Sequence, residues 1–181
     1  MTRQLTFAVA ITAALFATRA NAQVAAGEYQ IKAAFLHHFA TFVEWPADKV
    51  ASNAPVVIGL IGDDPFGRAI DDVISRDAVV NGHRLIVRRL RWNDALTDCQ
   101  IVFISSSELE HLDDILKTLK GHSVLTVGDI DRFADRGGII ELRTTGNRVR
   151  FDINSHAAGA ARLHISSKLL QLAQRVIGRT P

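Results

Sequence analysis

APVVIGLIG, residues 54–62, is an unbroken apolar run rich in β-branched side chains. A strand with one wet face alternates apolar and polar residues. A run that is apolar at every position suits a strand buried on both faces, as in a parallel sheet covered by helices. The next segment, DDPFGRAIDDVIS (63–75), predicts a helix with Asp64 as its N-cap and Pro65 at the first helical position.

The alternation continues outward. HRLIVRRL (83–90) and CQIVFIS (99–105) read as a second and a third strand. SELEHLDDILKTLKG (107–121) reads as a helix opened by Ser106 or Ser107 and closed by Gly121. SVLTVGD (123–129) is a fourth strand, followed by a short helix over DIDRFADRGG (129–138). GIIELRTTGNRVRFDIN (138–154) reads as two strands joined by a tight turn at Gly146-Asn147. Asn154 then caps a last helical region, 155–178, with a break near Arg162 to Ser166. Strands alternating with helices predict an α/β fold: a mainly parallel sheet flanked by helices, with a C-terminal β-hairpin and helix.

Upstream, residues 24–43 carry a helical period, with Tyr29, Phe35 or Leu36, Phe39, Phe42 and Val43 at steps of three and four. Trp45-Pro46 ends it, because the residue before a proline is pushed out of the helical region. The aromatics and small apolar residues exceed the single stripe that a helix buries against a sheet. Two readings stay open: a face covered by a dimer partner or another protein, and ordinary core.

The first residues address the compartment. MTRQ carries Arg3, LTFAVAITAALFA (5–17) is uncharged and apolar, and ANA (20–22) is a small-x-small cleavage site. In this order they read as a signal peptide over 1–22, leaving one mature domain over 23–181 in the periplasm. The apolar run is 13 residues, short of the roughly twenty that span a bilayer. Removing Arg3 and Arg19 takes Lys+Arg from 21 to 19, equal to the 19 acids. The basic excess belongs to the leader, and nucleic-acid binding loses its electrostatic support. No later stretch approaches membrane length, so the mature chain should not span a membrane. The single cysteine, Cys99, has no internal partner; opening a buried-strand pattern, it should be buried.

Several chemistries lack their residues. GLIGDDPFG has neither a dinucleotide-loop nor a P-loop spacing, so no nucleotide cofactor is implied. A phosphorelay receiver needs an acceptor aspartate where VFISSS supplies serines, and helix capping is the stronger reading of Asp63 and Asp64. Ser105, Ser106 and Ser107 lack a nucleophile elbow. His37 and His38 face about 100° apart on a helix and cannot easily share an ion. Glu108 and His111 have the spacing of a solvated surface pair. No metal, cofactor or catalytic residue is expected. Two stretches stand out instead. VRFDIN places Asp152 opposite Phe151 and Ile153, and ARLHIS puts Arg162 and His164 on one face if extended. These three could form a polar cluster, with a plain surface ion pair as the alternative.

YQIKAAFLHHFATFVEWP, IGDDPFG, CQIVFISSSE, VLTVGD with FADRGGIIEL, NRVRFDIN and ISSKLLQLA occur in one order. Together they resemble the YfiR-like family of periplasmic proteins, over about Tyr29 to Val176. The resemblance implies an α/β fold, no catalysis and a tendency to form homodimers. It implies repression of an inner-membrane diguanylate cyclase by binding its periplasmic domain, which lowers cyclic di-GMP and biofilm formation. It implies release when an OmpA-type outer-membrane lipoprotein sequesters the repressor. The positions matching the family's functional patch are Glu44 beside Trp45, Asp152, Arg162 and His164. Tyr29, Phe35, Phe39 and Phe42 would form the dimer or partner helix. Some members carry disulfides, which a chain with Cys99 alone cannot form, and some carry a basic residue at the position of Glu44. A different reading is a periplasmic small-ligand sensor, with a cleft at Asp63, Asp64 and Ser105.

Overall fold

A computed structural model describes residues 27–51, 53–75, 78–146 and 148–178. The signal-peptide and cleavage-site readings, and Asn147 of the expected turn, lie outside the described residues. A helix over 27–42 (α1) opens the fold and runs into a two-residue strand, Val43–Glu44 (β1). Then come Val56–Ile61 (β2), Arg68–Val73 (α2), Val79–Val80 (β3), His83–Leu90 (β4) and Ile101–Ile104 (β5). They are followed by Leu112–Leu119 (α3), Leu125–Gly128 (β6), Ile140–Thr145 (β7) and Arg148–Asn154 (β8). The chain closes with Ser155–Ala160 (α4), His164–Ile165 (β9), Ser167–Leu172 (α5) and Arg175–Ile177 (β10).

Eight strands form one sheet in the order β10-β8-β7-β6-β5-β2-β4-β3, and β1 pairs with β9 in a separate two-stranded ladder. The β10–β8, β7–β6, β6–β5, β5–β2 and β2–β4 pairs are parallel; β7–β8 and β3–β4 are antiparallel. The α/β reading, the mainly parallel sheet and the β7–β8 hairpin are all found. Every residue of β2 is buried. Val56, Ile58 and Leu60 enter a core with α1, and Val57 and Ile61 enter a second core with α3. The unbroken apolar run thus reflects helices on both faces. Cys99 is fully buried; it packs over Gly59, where an added Cβ would lie 2.9 Å from its sulfur.

Four expectations are corrected. Residues 131–137 form turns, not a helix. Arg132 has φ +58, which a right-handed helix does not accommodate, and the Phe133 ring fills the space where a Cβ on Gly138 would stand, 2.1 Å away. The helix after β2 starts at Arg68. The Asp64 carboxylate instead accepts from the Phe66 and Gly67 amides at 2.8 and 3.2 Å, ordering the approach to α2. The helix after β5 starts at Leu112, preceded by a 3-10 turn over Ser106–Glu108, so neither Ser106 nor Ser107 caps it. The last helical region stops at Leu172, and Arg175–Ile177 is a strand parallel to β8. The break around Arg162 to Ser166 is present as β9, and the Asn154 side chain accepts from the Ala157 amide at 2.9 Å, as a cap should.

Candidate partner-binding site

The ladder of β1 and β9 brings Glu44 opposite His164 and Val43 opposite Ile165. The two valine and isoleucine side chains are buried and anchor the pair in the core. Their neighbours point outward by the alternation of a strand. His164 Nδ1 lies 3.5 Å from Glu44 Oε2, with both side chains 75% exposed. Two residues back, Arg162 reaches Asp48 at 3.5 Å, again with both side chains mostly in solvent. Arg162 holds φ +56, a region a non-glycine residue enters only when its surroundings fix it. That fixing comes from the Arg162 and Leu163 amides, which donate to the Gly159 and Ala158 carbonyls. Trp45 adjoins Glu44 and is pinned by its indole N–H, which donates to the Gln100 carbonyl at 3.1 Å. Exposed ion pairs of this kind contribute between nothing and about 1 kcal/mol to stability. Glu44, Asp48, Arg162 and His164 therefore form a charged surface with little structural duty, beside a half-buried Trp45 that packs against the core.

Asp152 is not part of it. Its carboxylate is fully buried and accepts from Arg175 Nε at 2.9 Å, with Arg143 Nη2 at 3.4 Å. Arg175 also clasps Asp135 through both terminal nitrogens at 3.0 and 2.9 Å. The hydrogen bonds from Arg175 hold the Asp135 carboxyl below the usual carboxylate range. Asp152 thus ties β10 to β8 and makes no contact with Arg162 or His164.

The aromatic helix divides its residues. Phe39 is fully buried and meets Phe151 edge-on at 5.4 Å. The Tyr29 hydroxyl donates to Asp129 at 2.8 Å while its ring edges against Phe66. Phe35 and Phe42 are half-buried and line an open apolar groove of about 520 Å³. Its other walls are Val149 and Phe151 of β8 and Leu169 and Leu172 of α5. Ile31 and Leu172 stand 46% and 71% exposed at its margin. The core reading holds for Phe39, while Phe35 and Phe42 pack against the core on one side and line the open groove on the other.

At the end of β2, the Asp64 carboxylate is taken up by the loop and by Arg89 at 2.8 Å, and Ser105 is buried. The Asp63 amide donates to Ser107 Oγ at 2.9 Å. Asp63, but neither Asp64 nor Ser105, lines a shallow cleft with Trp92 and His111, whose rings stack at 4.7 Å. Among the described residues no cluster of metal-ligating side chains occurs and no helix is long and apolar enough to cross a membrane. The sequence missed Asp48 because its partnership with Arg162 spans 114 positions.

A family model described as YfiR/HmsC-like matches residues 29–174. Among solved structures, a conserved domain protein from Vibrio cholerae O1 biovar El Tor is similar in fold, with a TM-score of 0.51 and 10% identity. The likeness covers 66% of this chain and 54% of that one.

Proposed function

The chain belongs to the YfiR/HmsC-like family, a periplasmic family associated with the regulation of diguanylate cyclases, and on that premise we propose that it represses an inner-membrane cyclase by binding the enzyme's periplasmic domain. Bound cyclase would make less cyclic di-GMP, and biofilm formation would fall. The contact runs through Glu44, Trp45, Arg162 and His164, with Asp48 beside them. One observation carries this reading: the exposed charges of Glu44, Asp48, Arg162 and His164 have little to do for stability, yet they are held by a backbone ladder and a left-handed arginine. Its mixed charges suit a polar, complementary partner surface, with Trp45 as an aromatic neighbour of the sort that anchors interfaces.

The groove beside Phe35 and Phe42 serves self-association of two copies, and an OmpA-type outer-membrane lipoprotein sequesters the repressor to release the cyclase. Asp152 contributes from within, by fixing the C-terminal strand.

Calorimetry of residues 23–181 against the periplasmic domains of the source's cyclases tests this. Saturable binding is expected, weakened at least about tenfold by Arg162→Ala with His164→Ala, while circular dichroism of that variant stays unchanged. Absence of binding to every cyclase domain would end the repressor reading.

A further inference from the structure

A cavity of about 710 Å³ opens between α3 and α4, with Thr126 of β6 and Ile139 beneath it. This lies within the range of sites that enclose small molecules. One wall is apolar, from Leu116 and Leu119 of α3 with Val124 and Ile139 below. The facing wall is made of the small residues Ala157, Ala160 and Ala161, which leave the space open, and Ile177 closes one end. Its charged lining is Lys117, Lys120, Arg136 and Asp113, and because Asp113 pairs with Arg136 at 2.8 Å, the two lysines are its uncompensated charge. Thr126 supplies a polar point on the buried side. Its side chain is 4% exposed overall, and its oxygen accepts from the Ile139 amide at 2.9 Å. Asp63, Asp64 and Ser105 take no part in the cavity, nor do the charged patch and the groove beside α1.

We propose that this cavity binds a small organic anion with an apolar body, its carboxylate turned to Lys117 and Lys120 and its ring or chain laid between α3 and α4. The apolar walls account for the body, since nothing in the cavity rewards a polyhydroxylated or dicationic molecule. The excess of cations selects the head group, because charge-assisted hydrogen bonds are the stronger kind and a neutral head group forgoes them. The site is independent of the repressor reading and could bias it, because α4 leads through Arg162 into β9.

The test uses residues 23–181 with 2-naphthoate as probe and 2-naphthamide as its neutral counterpart, followed by amide chemical shifts. Saturable shifts are expected at Gly121, Thr126, Ile139 and Gly178, with the amide bound about tenfold more weakly. Lys117→Gln with Lys120→Gln should weaken naphthoate by a similar factor. Ala160→Trp should fill the cavity and abolish the shifts, with the rest of the spectrum preserved. Leu172→Glu in the α1 groove and His164→Ala in the patch should leave the affinity for naphthoate unchanged. Equal affinity for acid and amide, shifts centred on Phe35 and Phe42, or no binding of naphthoate at millimolar concentration would each overturn the proposal.

Discussion

Lys32 shows how much a single position hides. Its side chain is 4% exposed, with Nζ 2.6 Å from Glu28 and 2.8 Å from Asp129 and lying 4.4 Å over the Tyr29 ring. Burial, then the hydrogen bond to Asp129, pushes the Tyr29 phenol well above its ordinary range. Removing one partner of a buried pair strands the other charge, whereas replacing both with apolar groups need not cost stability. Lys32→Met is therefore expected to cost about 3–5 kcal/mol in urea denaturation, and Lys32→Met with Asp129→Leu and Tyr29→Phe, which leaves no hydroxyl without its acceptor, to recover most of it. A triple variant as weak as the single would show that packing, not the ion pair, matters there. In the sequence Lys32 reads only as a charge that interrupts an apolar run, because its buried partner, Asp129, is 97 positions away. Cys99 was legible: an apolar strand pattern follows it directly, and burial needs no distant information. Of the patch, Glu44, Trp45, Arg162 and His164 were legible, whereas Asp48 and the pairing were not, and Asp152 lies buried elsewhere. The register that sets Glu44 against His164 belongs to the ladder, and spacing along the chain cannot supply it.

The elements that read well were those whose own pattern decides them. β2 and β5 are buried on both faces, so their side chains are apolar throughout. β10 was missed because its three residues, RVI, continue the apolar spacing of the helix before them. What makes it a strand is parallel backbone pairing with β8, 21 or more positions back in the chain, and Arg175 adds side-chain contacts to Asp152 on β8 and to Asp135 in the turns before β7. Arg175→Ala is expected to speed hydrogen exchange at the β10 amides at least about tenfold, leaving β5 protected. The pH dependence follows from the lowered pKa of Asp135. A carboxyl with a depressed folded value stabilises the fold above its unfolded value, near 3.8, and that contribution is lost as pH falls through the folded one. Protection of β10, corrected for intrinsic exchange, should therefore hold from about pH 5 to 8 and fail in stronger acid. Loss already at pH 6 would assign the clamp to some other group.

At the scale of the whole molecule, the sheet is covered on both faces, yet one flank of α1 and α5 stays apolar and open. Leu172→Glu and Phe42→Glu should abolish self-association in light scattering while the melting temperature shifts only a few degrees, since both side chains are already in part solvated. Phe39→Glu should instead unfold the chain. A monomer that associates as poorly as either groove variant before any substitution would remove the dimer reading. The general architecture was legible because alternating strands and helices leave few arrangements. The groove was not, since exposure depends on which elements α5 and β8 bring alongside the helix. The pairing of Arg162 with Asp48 across 114 positions also has a meaning in time. A chain emerging from its amino end forms α1 and β1 long before β9 exists, and contacts of such high sequence separation come late and slowly. If the proposed contact is right, a chain cut short before β9 carries Glu44, Trp45 and Asp48 but lacks Arg162 and His164, and so presents only half of the surface that a partner would meet.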